Sequence, residues 1–108
     1  IVDAVKKAAN LVGIKKIIPS GTAIQNARTS FIGDHMNRDG YHLDLTIGRY
    51  TAACTWFEAL THRNVTENPY SPEGIDPIHK KAAQMAAHNA ILYPDKVTEL
   101  TELKKIAD

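Results

Sequence analysis

Asp39 and His42 are the residues of this chain best suited to chemistry, three positions apart in Asp39-Gly40-Tyr41-His42. A carboxylate that accepts a hydrogen bond from an imidazole fixes its tautomer and steadies the charge it gains on taking up a proton. The other ring nitrogen is then left to act as a general base. Gly40 permits the tight bend that lets the two side chains converge. A long apolar-patterned run, Leu45 to Leu60, follows at once and reads as a helix that anchors the loop. The positive end of its dipole disfavours an imidazolium, so Asp39 is needed as counter-charge. Such a pair is the acid–base half of a Ser-His-Asp hydrolase, and the missing half is the nucleophile. Ser20 and Ser30 read as turn and loop residues, and neither lies in a Gly-x-Ser-x-Gly pattern. Asp34, His35, Asp39 and His42 are all metal-ligand types, which defines an alternative, metal-dependent hydrolase. Their His-x6-His spacing matches no standard zinc pattern, so neither a metal nor any other cofactor is expected.

Other reactive residues have plainer roles. Arg28 and Arg38 flank the loop and are placed to hydrogen-bond Asp34 or Asp39, and Arg49 lies just beyond. Cys54 falls on an apolar stripe and reads as packed core. Trp56 and Phe57 fit a core better than a substrate cleft. His62 follows the long helix, where it favours the C-terminal end. His79 and His88 are nine apart on one helix and face different ways.

The elements that must hold the pair follow from periodicity. Val2, Val5, Ala9 and Val12 recur at helical spacing, and Gly13 fits the position that ends the helix. Lys15 to Pro19 places Ile17 and Ile18 side by side, as in a short strand covered on both faces, and Pro19 can close it. Thr22 reads as the cap of a helix over 23–28. A loop rich in Gly, Asp, Asn and Arg spans 29–42, and Asp44 or Thr46 caps the next helix. In that helix Ile47, Tyr50, Cys54 and Phe57 form one stripe, with Leu45, Ala53, Trp56 and Leu60 beside it. Together they make a wide apolar face. A connector with Asn68-Pro69 and Ser71-Pro72 leads to Asp76-Pro77, a capped helix start. Ile78, Ala82, Met85, Ala86 and Leu92 carry the apolar side of this helix, and Pro94 stops it. Asp95 to Asp108 reads as a short charged terminal helix.

Helix, strand, helix is the grammar of an α/β sheet. A lone buried strand cannot satisfy its backbone, however. The expectation is therefore that the partner strands lie outside these 108 residues, the alternative being an all-helical chain with one extended segment. Thirteen basic against twelve acidic residues leave a formal charge of +1, which offers nothing to nucleic acid. No apolar run is long enough to span a membrane. One cysteine excludes an internal disulfide.

Asp39-Gly40-Tyr41-His42 resembles the terminal Asp-x-x-His block of the SGNH (GDSL-type) hydrolases. The stretches Ile18 to Arg28 and Asp39 to Asp44, running on to Gly48-Arg49-Tyr50, resemble a bacterial branch of that superfamily described mainly as a domain of unknown function. The resemblance implies a three-layer α/β/α, flavodoxin-like fold, of which these residues would be the mostly helical C-terminal part with one strand. It implies an esterase acting on acyl or acetyl esters, including those of carbohydrates, and an exported protein. It implies that Asp39 orients the imidazole and His42 is the base, with a Gly-Asp-Ser serine and Gly and Asn oxyanion donors nearer the N-terminus. Gly33-Asp34-His35 begins like the serine motif but carries histidine in the nucleophile's place. The nucleophile is thus expected from a missing N-terminal part of the same domain, and the 108 residues alone are expected to be inactive. A non-catalytic helical module that binds a partner through its apolar faces is the alternative to an enzyme. No pattern fixes an oligomeric state.

Overall fold

The computed structural model describes residues 1–104. It contains four α-helices, α1 (Val2–Val12), α2 (Ser20–Arg28), α3 (Ile47–Thr61) and α4 (Pro77–Leu92). Two single 3-10 turns, Val65–Glu67 and Thr101–Leu103, complete the described regular structure. Helices α2, α3 and α4 pack on one another, and the loop residues Ile32 and Met36 close one end of their shared core. The core face of α4 is almost pure alanine: Ala82, Ala83, Ala86, Ala87 and Ala90 are all fully buried. Side chains this short bring the helix backbones close together.

The α/β expectation is overturned. Among the described residues there is no strand and no sheet, and Lys15 to Pro19 is irregular chain with Ile17 partly exposed. Two adjacent isoleucines favour an extended backbone, but a strand exists only when a neighbour supplies its ladder. No described segment does so. The one β-type pairing among the described residues is an isolated bridge between Asn37 and Leu43, which flank Asp39–His42. The described chain is thus helices joined by irregular segments, not the α/β arrangement of a three-layer sandwich.

Helix ends follow local chemistry. Gly13 adopts the left-handed conformation at φ 76°, and its N–H and that of Ile14 close the last turn of α1 on Asn10 and Ala9. Asp76 caps α4 by accepting the His79 N–H, with Pro77 in the first turn. Helix α2 starts three residues earlier than a Thr22 cap suggests, because Thr22 is buried and its hydroxyl donates to the Pro94 carbonyl at 2.7 Å. The tertiary bond replaces the cap. Beyond α4 the described chain makes only the Thr101–Leu103 turn, and the end of the expected terminal helix lies outside the described residues.

Helix α3 buries one of the two stripes its large residues form and leaves the other outside. Ile47, Tyr50 and Cys54 are buried, but Leu45, Trp56 and Leu60 are more than half exposed. In their place Thr51, Thr55 and Glu58 face inward. Each threonine hydroxyl donates to the carbonyl one turn back, Ile47 and Thr51 respectively, so neither brings an unmet polar group into the core. The connector after α3 is tied down by polar contacts. The Tyr50 hydroxyl donates to the Tyr70 carbonyl, and the Gln84 amide donates to both Tyr50 and the Asn68 carbonyl. Helix α1 stands apart, with Ala9 as its only buried residue. Among the described residues no helix is long and apolar enough to cross a membrane.

Candidate functional site

Residues 36–44 form a narrow hairpin-like loop seated at the N-terminus of α3. The Asp44 N–H donates to the Met36 carbonyl at 2.8 Å, and the Arg38 N–H donates to the His42 carbonyl at 2.9 Å. The Asn37–Leu43 bridge lies between these two bonds. Arg38 Nε donates to the Leu43 carbonyl at 3.3 Å, so this arginine braces the hairpin rather than binding Asp39. Gly40 turns the tip at φ 97°, a conformation a side chain would strain.

Asp39 and His42 meet at that tip. Asp39 Oδ1 accepts the backbone N–H groups of His42 at 2.8 Å and Tyr41 at 3.2 Å. Asp39 Oδ2 lies 2.6 Å from His42 Nδ1. One oxygen therefore fixes the turn and the other fixes the ring. The His42 backbone N–H, and after it the His42 ring, hold the Asp39 carboxyl below the usual aspartate range. An ionised Asp39 keeps the proton on Nδ1 and leaves Nε2 as the basic nitrogen, with no hydrogen bond to any described residue. Both side chains are close to half exposed, and the Tyr41 ring tilts against His42 with centroids 4.1 Å apart.

The loop is joined firmly to α3. Asp44 Oδ2 accepts the N–H groups of Thr46, Ile47 and Gly48, at 2.9, 2.7 and 3.4 Å. The cap thus comes from Asp44, although Thr46 occupies the position next to the helix.

The other candidates lie apart from this pair. Asp34 forms an ion pair with Arg28 at 2.8 Å, and His35 is exposed without a carboxylate partner among the described residues. No three His, Cys, Asp or Glu side chains come together as a metal cage among the described residues, so Asp34 and His35 do not join Asp39 and His42. Ser20 opens α2. Ser30 is buried; its hydroxyl donates to the Ala27 carbonyl and accepts the Ile32 N–H, which makes it a turn residue. Burial pushes the Cys54 thiol up to about 11, so it is a core group and not a nucleophile.

Two further carboxylate–histidine pairs were not anticipated. Asp76 Oδ1 sits 2.7 Å from His79 Nδ1 while also capping α4, and Phe31 meets the His79 ring edge-on at 5.0 Å. The signal was available, since Asp76-Pro77-Ile78-His79 repeats the spacing of Asp39 and His42. Here one oxygen takes both bonds, whereas Asp39 divides them between two. Buried Glu58 on α3 accepts from His88 Nδ1 at 2.8 and 3.0 Å and from the Val65 N–H at 2.8 Å. Thirty residues separate that pair, and no local pattern announces it.

The chain belongs to the family described as a domain of unknown function, DUF4886, whose model matches residues 1–90. The match covers the whole hairpin, α1 to α3 and most of α4. No curated protein matches the chain.

Proposed function

We propose that this chain supplies the acid and base of a serine-type ester hydrolase, with His42 as the general base and Asp39 as the group that orients it. The observation that carries the reading is the 2.6 Å contact between Asp39 Oδ2 and His42 Nδ1, at an exposed tip where a substrate has access. In this mechanism Nε2 takes the proton of a serine hydroxyl as that oxygen attacks the ester carbonyl. The imidazolium then returns the proton to the leaving alcohol, and water repeats the cycle on the acyl-enzyme. No described serine hydroxyl is hydrogen-bonded to His42. The nucleophile and oxyanion donors are therefore assigned to another part of the protein. The SGNH resemblance of the Asp-x-x-His block supports acyl or acetyl esters, including those of carbohydrates, as the substrate class.

The test is cleavage of a small chromogenic acetate ester by the full-length gene product. His42→Ala should abolish turnover, and Asp39→Asn should lower it by about four orders of magnitude if the tautomer is set as in serine triads. Activity within a few-fold of wild type in His42→Ala would remove His42 from the role of base.

A further inference from the structure

We propose that Gly48 is a positioning residue for the Asp39–His42 dyad, the bare Cα on which both arms of the hairpin rest; this builds on the catalytic role proposed for His42. Gly48 lies in the first turn of α3 with ordinary helical backbone, so its lack of a side chain is not needed for conformation. The reason is space. A Cβ at this position would lie 2.6 Å from the Met36 carbonyl oxygen, and 3.3 Å from the Cβ atoms of both Leu43 and Asp44. Met36 belongs to the outgoing arm, and Leu43 and Asp44 to the returning one. The closest atom is main chain and cannot swing aside as the end of a flexible side chain would. It is also engaged, since the Met36 carbonyl accepts the Asp44 N–H. Asp44 in turn is held by its carboxylate to the N–H groups of Thr46 and of Ile47 and Gly48 at the start of α3. Any added carbon must lift the outgoing arm, and the Arg38–His42 backbone bond carries that movement to the tip.

The bonds inside the dyad are different. They run only among Asp39, Tyr41 and His42, so they travel with the tip as a unit. Gly48 thus governs where the imidazole stands, and Asp39 governs its tautomer. A displacement of about 1 Å at a reacting group is enough to cost on the order of a hundredfold in rate.

The experiment compares Gly48→Ala with wild type in the full-length gene product. Acetate-ester kinetics are read together with NMR of the His42 ring and amide hydrogen exchange. The expected result is a kcat at least about tenfold lower with KM held within about twofold, as a placement error of this size implies. The pH midpoint of kcat and the His42 Nδ1 proton signal should stay at their wild-type values, while the Arg38 and Asp44 amides lose protection. The Asp76–His79 pair serves as an internal control and should not change. Should Gly48→Ala fail to fold, Asp44→Ala loosens the same seat from the returning arm without adding volume; it should lose protection at Arg38, and Asp44→Ser should regain it. Wild-type kcat and protected amides in either folded variant would overturn the proposal. So would a moved pH midpoint, because the dyad itself would then be changed. Full activity in His42→Ala would overturn the catalytic reading alone, since exchange at Arg38 still reports on the hairpin's seat.

Discussion

His88→Ala isolates the one carboxylate that the helical core cannot leave unpaired. Glu58 accepts the Val65 N–H and both contacts from His88 Nδ1, with its side chain only 7% exposed. Removing a hydrogen-bond partner from a buried polar group costs about 1–3 kcal/mol, and more for a carboxylate, because the group is left unsatisfied. His88 is itself 27% exposed, so water can enter the space it leaves and solvate part of that charge. The Val65 N–H also remains in place. These two compensations bring the expected loss to about 2 kcal/mol. For a domain of this size each 1 kcal/mol moves Tm by roughly 4–8 °C, so thermal unfolding at neutral pH should shift down by about 10 °C. The double variant Glu58→Gln with His88→Ala separates the pair from packing. If the pair is what matters, its loss should fall short of the sum of the single losses by about 1 kcal/mol or more. A His88→Ala shift under about 3 °C, or strictly additive losses, would refute the account of Glu58 as a buried, partner-dependent charge.

Other expectations follow from the same contacts. Asp39 is held below its ordinary pKa, so its contribution is complete above about pH 4 and is lost as pH falls through the folded value. A carboxyl NMR titration should give a midpoint below the usual 3.8, and one at or above it would contradict the hydrogen bonds drawn to Asp39. Cys54 is buried, with its thiol raised to about 11, and should resist a thiol reagent in the native state and react fully in urea. Rapid native labelling at neutral pH would mean that the core around α3 opens. Asn26 is fully buried, donates to the Ala86 carbonyl at 3.1 Å and accepts the Thr98 N–H at 2.7 Å. Asn26→Ala strands the buried Thr98 N–H and removes the second bond to the Ala86 carbonyl, and should cost about 2–3 kcal/mol in urea unfolding. A loss under about 0.5 kcal/mol would show that the segment after α4 is not pinned there.

The dyad was legible because its information is local. Asp39, Gly40 and His42 lie within four positions, and an Asx turn with a left-handed glycine is enough to bring carboxylate and ring together. Helix termini were legible for the same reason at Gly13 and at Asp76-Pro77. What periodicity could not show was which face of a helix is covered. Helix α3 has large residues on both sides, and the side that is buried is lined by threonines whose hydroxyls bond within the helix. Composition therefore pointed toward Trp56 and Leu60, and packing chose Thr51 and Thr55. The segment around Ile17 and Ile18 failed for a related reason. Its strand propensity is a property of the residues, whereas a strand is a property of a pair of segments. Glu58 and His88, thirty residues apart, are brought together only by the packing of α3 on α4.

The alanine face of α4 sets an uneven mutational tolerance across this molecule. Each of Ala82, Ala83, Ala86, Ala87 and Ala90 sits where the next larger side chain would wedge two backbones apart, at about 1–3 kcal/mol a time. Helix α1 presses on almost nothing, and Leu11 and Val12 can be exchanged for polar residues at little thermodynamic expense. A saturation library selected only for folding should therefore return α4 nearly unvaried along this face and α1 nearly randomised on its outer side. The smallest side chains in the protein would be its least replaceable.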